Sequence, residues 1–278
     1  MSWARVIGLT SLAMIAFAGN SLLCRQALKH TAIDPASFTG VRLVSGAMML
    51  WLVARMKKTS PAGAGNWPSA LALFAYAAGF SFAYVSLPAA SGALLLFGAV
   101  QATMIGHGIR VGERLHVLQI AGVIIAFGGL VGLLLPGLSA PPLTGSMLMI
   151  GAGVAWGVYS LRGKGVGDPI RVTAGNFLRT VPVTVVLSVV LIEFNSVDLA
   201  GILYAAASGA LASGLGYAIW YTVLPALKNT SAASVQLSVP VIASIGGVVF
   251  LGEPMTLRLV LASVAILGGI ALVITQKH

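Results

Sequence analysis

Aromatic and charged side chains recur at helical spacing in an otherwise apolar chain, and these are the residues that could do chemistry. Tyr76, Phe80 and Tyr84 follow one another every four residues, so a helix would carry them along one face. Tyr217, Trp220 and Tyr221 repeat the arrangement, and Trp156 and Tyr159 share a face at three-residue spacing. Rings arranged this way make a stacking wall for an apolar or aromatic ligand; the other uses of such a stripe are packing and a belt at a membrane surface. Trp3, Trp51 and Trp67, near helix ends, are read as belt residues. Asn20, Gln101 and Gln236 add polar groups within apolar runs, either as hydrogen bonds between helices or as ligand contacts. Arg42 and Arg179 carry a charge roughly 10–12 Å along a helix axis, where it must be paired or face water.

Absences narrow the chemistry. The six carboxylates, Asp34, Glu113, Asp168, Glu193, Asp198 and Glu253, fall at or beyond the ends of apolar runs. No acid is therefore expected deep in the chain to hold a lipophilic cation or a coupling proton, and zwitterionic, neutral or anionic ligands are favoured. His30, His107, His116 and His278 are scattered without metal-ligand spacing, and no nucleophile is paired with a base. No metal, cofactor or enzymatic reaction is expected. Gly163-Lys-Gly-Val-Gly167 lacks the preceding strand of a phosphate-binding loop, and Asn229-Thr-Ser231 is a glycosylation match on the side where it would go unused.

The elements that position these residues follow from composition. With 58% hydrophobic and 8% charged residues, the chain cannot cover a water-soluble globule and reads as an all-α integral membrane protein. Its net charge of +10 would suit nucleic acid only if gathered on one face; it is spread instead through short gaps between apolar runs, as in membrane orientation. Cys24 is alone, so there is no internal disulfide. Apolar runs long enough to cross a bilayer fall at about 3–27, 36–56, 68–88, 91–109, 116–136, 143–162, 171–192, 199–222, 231–250 and 256–275. The first resembles a signal peptide, but its counterpart at 145–162 lies deep inside the chain, so it is read as a retained helix.

That counterpart belongs to an internal repeat. Tyr84-Val-Ser-Leu-Pro88 returns as Tyr221-Thr-Val-Leu-Pro225, an offset of 221 − 84 = 137 residues that also carries Arg25 onto Arg162 and Arg42 onto Arg179. Gly112-Glu113 matches Gly252-Glu253, and Gly128-Gly129 matches Gly268-Gly269, at 253 − 113 = 140. The chain reads as two copies, 1–138 and 139–278, of five helices each. Five is odd, so the second copy enters the membrane from the opposite side, the mark of alternating-access transporters. Of the 16 Lys and Arg residues, eleven fall on one side, three (Arg25, Lys29, Arg258) on the other, and Arg42 and Arg179 within spans. The positive-inside rule then puts both termini inside.

On the duplicated arginines, the Tyr-x-x-Leu-Pro pair, the Gly-Glu pair and the Gly-Gly of each last helix, the chain resembles the drug/metabolite transporter superfamily, in its ten-helix EamA-type form. The resemblance implies bacterial inner-membrane exporters of amino acids and other small metabolites, with helices 3, 4, 8 and 9 around the cavity, 1 and 6 beside it and 5 and 10 outside. The expected activity is export of amino acids, aromatic or bulky apolar ones foremost. The alternatives are another solute such as a nucleobase, sugar phosphate or drug, or a non-transporting membrane scaffold. The expected partners are a small-molecule substrate and the lipid bilayer, not nucleic acid, and a monomer is compatible with the sequence. By this topology Arg42 and Glu253 lie near the outer mouth and Arg179 and Glu113 near the inner one. Two symmetry-related Arg–Glu pairs are expected there, with Arg25 and Arg162 as neighbouring gate charges; the alternative is that each Arg snorkels or binds backbone carbonyls.

Overall fold

The computed structural model describes residues 2–57, 64–112, 115–137, 140–163, 168–227 and 235–275. Among these there are ten helices and no strand. They are α1 (Trp3–His30), α2 (Pro35–Met56), α3 (Trp67–Tyr84), α4 (Ala89–Arg110), α5 (Val117–Leu134), α6 (Leu143–Arg162), α7 (Pro169–Val190), α8 (Leu199–Ala226), α9 (Ser238–Leu251) and α10 (Leu257–Thr275). Seven of them, α1, α2 and α4 to α8, are long and apolar enough to cross a membrane. α3 falls outside that set because its length is given to Tyr, Trp and small residues, and it can be so because it is packed among other helices.

Helix starts are written in the sequence. Asp34 accepts the N–H groups of Ala36 and Ser37, with Pro35 at the first helical position, and Asp168-Pro169 opens α7 likewise by accepting from Ile170. Asn66 caps α3 through Ser69 N–H, and Asp198 caps α8 through Gly201 N–H. Three of the carboxylates at run ends thus satisfy orphan helix donors. α3 stops at Tyr84, earlier than the apolar run, because Pro88 supplies the start of α4.

α9 ends on Gly252, whose φ of +61° is left-handed and open to glycine without strain. The turn lets Glu253 N–H donate back to Gly247 O at 3.0 Å, which folds the Glu253 side chain onto the bundle. This is the structural use of that Gly-Glu pair. Its counterpart Gly112 also has positive φ, +98°, while Glu113 lies outside the described residues.

Contacts at helix ends define two poles. At one, the ends of α1, α3 and α9 meet the start of α4 through Arg25, Tyr84, Glu253 and Ala89. At the other, the start of α3 meets the end of α6, and the start of α5 meets the end of α10, where Gln119 donates to Val273 O. The main packings are α3 with α6, α4 with α6, α1 with α8, α1 with α9, α2 with α7, α2 with α8, α3 with α7, α4 with α9, and α5 with α10. Exchanging each of the first five helices with its counterpart among the last five maps this set onto itself.

α5 and α10 stand at the side as a pair. A Cβ on Gly122 would come within 2.5 Å of Gly269 O, and one on Gly129 within 2.7 Å of Ala265 Cβ, so these glycines allow the close approach. Gly128, Gly132 and Gly268 meet nothing within 4 Å and take no part in that close approach. Gly128 and Gly132, with Gly129, face an open apolar groove of ≈ 620 Å³ between the two helices.

Candidate functional site

The middle of the bundle holds an aromatic box. Tyr76 of α3 lies against Trp156 of α6, ring centroids 4.8 Å apart, and Trp156 lies 5.0 Å from Tyr217 of α8. Phe17 of α1 packs edge-on to Tyr217 at 5.8 Å, and Phe80 closes the side beside Tyr76 at 5.5 Å. These five rings, with Asn20, Ser21, Leu96, Phe97 and Ala212, line a cavity of ≈ 20 Å³. That is room for about one water molecule, so the box is closed on itself in this state.

A polar cluster adjoins one corner of the box, which Asn20 and Tyr76 line. Tyr76 Oη accepts from Arg42 Nη2 at 2.9 Å and from Asn20 Nδ2 at 3.2 Å. Asn20 Oδ1 accepts from Ser208 Oγ at 2.6 Å, and Arg42 Nε reaches Ser213 Oγ at 3.4 Å. The guanidinium also lies 4.7 Å over the Phe80 ring and 5.1 Å over Tyr76. Ser208 and Ser213 sit on Ser208–Leu215, a π-helical segment in the middle of α8. Its wider turn brings two hydroxyls to the cluster, and Gly209 lies where a Cβ would collide with the Arg42 carbonyl.

At each pole an arginine ties helix ends together. At the pole where α1 ends, Arg25 Nε donates to Glu253 Oε1 at 3.0 Å, and Nη1 donates to the carbonyls of Tyr84 and Val85 at 2.9 and 3.0 Å. Glu253 Oε2 accepts Ala89 N–H at 2.7 Å. One ion pair thereby ties four helix ends, beside a vestibule of ≈ 300 Å³ lined in part by Ser91 and Glu253. At the opposite pole, Arg162 donates to Ser69 Oγ at 3.1 Å and Asn66 Oδ1 at 3.3 Å. Asn176 accepts Asn66 N–H at 2.9 Å and donates to Tyr159 Oη at 3.4 Å. A cavity of only ≈ 10 Å³ remains there, lined in part by Tyr159, Arg162 and Tyr221.

The residues singled out by spacing divide among these places. Asn20, Tyr76, Phe80, Trp156 and Tyr217 line the central box, whereas Tyr159 and Tyr221 belong to the small cavity at the pole of Arg162. Tyr84 does not reach the box: its ring packs edge-on to Phe80 at 4.7 Å and its hydroxyl donates to Ala89 O. The reason is helical drift, since four residues advance a face by about 40° and Tyr84 stands about 12 Å along the axis from Tyr76. Trp220 is buried behind Phe17 at 6.1 Å. Gln101 is buried away from the box with its amide nitrogen unpartnered, and Gln236 is half-buried.

The expected Arg42–Glu253 pair is not formed. Glu253 is held by Arg25, whereas Arg42 begins about 10 Å inside α2, too deep to meet a carboxylate at the pole. Arg179 donates to Ala64 O at 2.5 Å and Gly175 O at 2.9 Å, while its expected partner Glu113 lies outside the described residues. Spacing missed Phe17, Ser208 and Ser213. Among the described residues, no three His, Cys, Asp or Glu side chains gather as a metal site would require.

Comparison with known proteins gives the arrangement a family. The chain is 54% identical over 274 residues to an uncharacterized protein of Pseudomonas aeruginosa, covering 98% of this chain and 96% of that one. It is 25% identical to an uncharacterized transporter of Archaeoglobus fulgidus, covering 97% of each, and 22% identical to the uncharacterized transporter YvbV of Bacillus subtilis, covering 92% and 87%. A crystal structure 18% identical in sequence superposes with a TM-score of 0.67 over 98% of this chain and 96% of that chain, which shows a shared fold. The model of the EamA-like transporter family matches twice, over residues 4–135 and 143–275. The chain therefore belongs to the EamA-like transporter family, as a multi-pass membrane protein that moves a solute.

Proposed function

We propose that the protein is an alternating-access exporter of amino acids, aromatic or bulky apolar ones foremost, in a bacterial inner membrane. Ten membrane-spanning helices form two inverted repeats, with both termini inside. The aromatic box carries this reading: Phe17, Tyr76, Phe80, Trp156 and Tyr217 surround one cavity, with polar groups at a corner and a closure at each pole. Each aromatic contact with a bound ring is worth about 0.5–1.5 kcal/mol beyond area burial, enough to select a ring and weak enough to release it. A cavity of ≈ 20 Å³ has no room for an amino acid, so the walls and one pole must part to load it.

The inverted arrangement is supported by the exchange symmetry of the helix packings and by the end of α3 meeting the start of α6, where a Cβ on Gly145 would come within 3.1 Å of Leu87. Orientation is supported by Arg5, Arg55, Lys57, Arg110 and Arg162, which fall toward the pole opposite the Arg25–Glu253 pair. The Pseudomonas relative supports a bacterial membrane.

Efflux from liposomes holding the purified protein tests the cargo. Loaded separately with labelled phenylalanine, tryptophan, leucine, uracil or glucose 6-phosphate, they should release the amino acids faster than protein-free liposomes. Release of uracil or the sugar phosphate alone would replace the cargo. Release of none would favour a membrane scaffold.

A further inference from the structure

Arg42 brings a buried charge to the central cluster, and no carboxylate among the described residues meets it. Its side chain is 1% exposed, and among the described residues the ion pair formed is that of Arg25 with Glu253. Arg42 Nε and Nη2 meet neutral hydroxyls, the guanidinium faces two rings, and Nη1 has no hydrogen-bond partner. Two other arginines are better served: Arg25 has a carboxylate and two carbonyls, and Arg179 has two carbonyls. A guanidinium cannot escape its burial by losing its proton, because its pKa exceeds about 12. A buried charge without a counter-ion costs several kcal/mol, and neutral dipoles and ring faces return only part of that. Among the described residues, no carboxylate answers this charge.

The neighbours of Arg42 are biased the same way. Tyr76 Oη already accepts two hydrogen bonds, so what remains to it is donation of its own proton. Asn20 uses its carbonyl oxygen to accept from Ser208, so its amide nitrogen, which donates one N–H to Tyr76 Oη, can offer only a donor to a ligand. Asn20 and Tyr76 bring donors of this cluster to the cavity, which is otherwise mainly apolar apart from the Ser21 and Tyr217 hydroxyls, and Arg42 stands just outside its lining, against the Tyr76 and Phe80 rings. Among the described residues, no carboxylate lines that cavity to hold an ammonium group.

We propose that the central site selects its cargo by an anionic carboxylate, received once the box parts by Arg42 Nη1, with the Tyr76 hydroxyl and Asn20 amide beside it. The apolar part of the cargo lies against Phe17, Trp156 and Tyr217. This rests on the cavity being the cargo site. An ammonium group contributes at most a contact with ring faces. Acids that lack the amine are therefore ligands, and amines that lack the acid are not.

The test uses purified full-length protein in detergent and four probes: 3-phenylpropionate, its neutral amide 3-phenylpropionamide, phenethylamine, and chloride. Binding is read by tryptophan fluorescence and by the shift in unfolding temperature. The carboxylate should bind at least tenfold more tightly than the amide, and phenethylamine should not bind. Arg42→Gln should lower affinity for the carboxylate to that of the amide and leave the amide unchanged. The wild-type comparison decides the matter alone if that variant does not fold. Equal affinity for carboxylate and amide, or binding of the amine, would overturn the proposal. So would chloride alone giving the whole shift, with no preference for the organic acid. Carboxylate binding without amino-acid flux would remove the export reading and leave the anion site standing; flux without carboxylate preference would remove the anion site alone.

Discussion

Removing the charge of Glu253 should open the pole that Arg25 closes. Glu253 Oε1 receives the guanidinium at 3.0 Å and Oε2 receives Ala89 N–H at 2.7 Å, with both charged side chains below 10% exposure. Glu253→Gln leaves one acceptor oxygen for two donors and loses one charge-assisted bond, about 1.5–3 kcal/mol. Glu253→Ala leaves the buried guanidinium with only two carbonyls and orphans Ala89 N–H, about 3–5 kcal/mol. If this contact exists only when the pole is shut, its loss is a shift in the open-to-shut ratio: roughly 10- to 150-fold for Gln and more for Ala. Ser91, 7% exposed in the vestibule beside Glu253, is the reporter. In a Cys24→Ala background, Ser91→Cys should react slowly with a membrane-impermeant maleimide, faster with Glu253→Gln added and fastest with Glu253→Ala. Equal rates in all three would refute the idea that this ion pair holds the pole shut.

The other predictions concern single sites. Trp156→Ala removes the ring that bridges Tyr76 and Tyr217, and should lower amino-acid flux at least tenfold with little change in expression; equal falls in both would mean packing alone. Gly153→Leu should force α4 and α6 apart, since even a Cβ there would lie 2.5 Å from Leu96 O; overpacking of this kind costs about 1–3 kcal/mol, read as a lower unfolding temperature. Asp34 caps α2 outside the spans: partial burial raises its pKa, but hydrogen bonds from Ser37, Ser196 and Ala36 outweigh this and hold it below the usual carboxylate value. Its stabilisation should be complete above the ordinary Asp pKa of about 3.9 and fade as pH falls through the lower folded value, so Asp34→Asn should flatten that limb of a stability-against-pH curve.

Much of the architecture could be read before any coordinates, because duplication and helix caps are local signals. The pairs Arg25 with Arg162 and Tyr84 with Tyr221 were visible at one offset, and Asp34-Pro35 and Asp168-Pro169 mark helix starts by their chemistry. The site was legible only where period alone decides it. Tyr76 and Phe80 are close enough on α3 to share the cavity, whereas drift of the helix face carries Tyr84 out of it. Phe17 stands in a plain apolar run with no second ring at helical spacing, so nothing in its neighbourhood marks it. Ser208-Gly209 and Ser213-Gly214 repeat at five residues, a spacing that gains meaning only with the π-helical turn. The choice between Arg25 and Arg42 as the partner of Glu253 depends on depth and on the left-handed turn at Gly252, both tertiary facts.

Counterflow is the most direct test of a carrier with one central site. Liposomes holding the protein are filled with excess unlabelled phenylalanine and diluted into a trace of labelled phenylalanine. An alternating site returns label on each inward step, so internal label should rise transiently above its equilibrium level and then fall, with the overshoot lost in Trp156→Ala. A monotonic rise to equilibrium, as through a channel, or no entry beyond that of protein-free liposomes, would contradict the account.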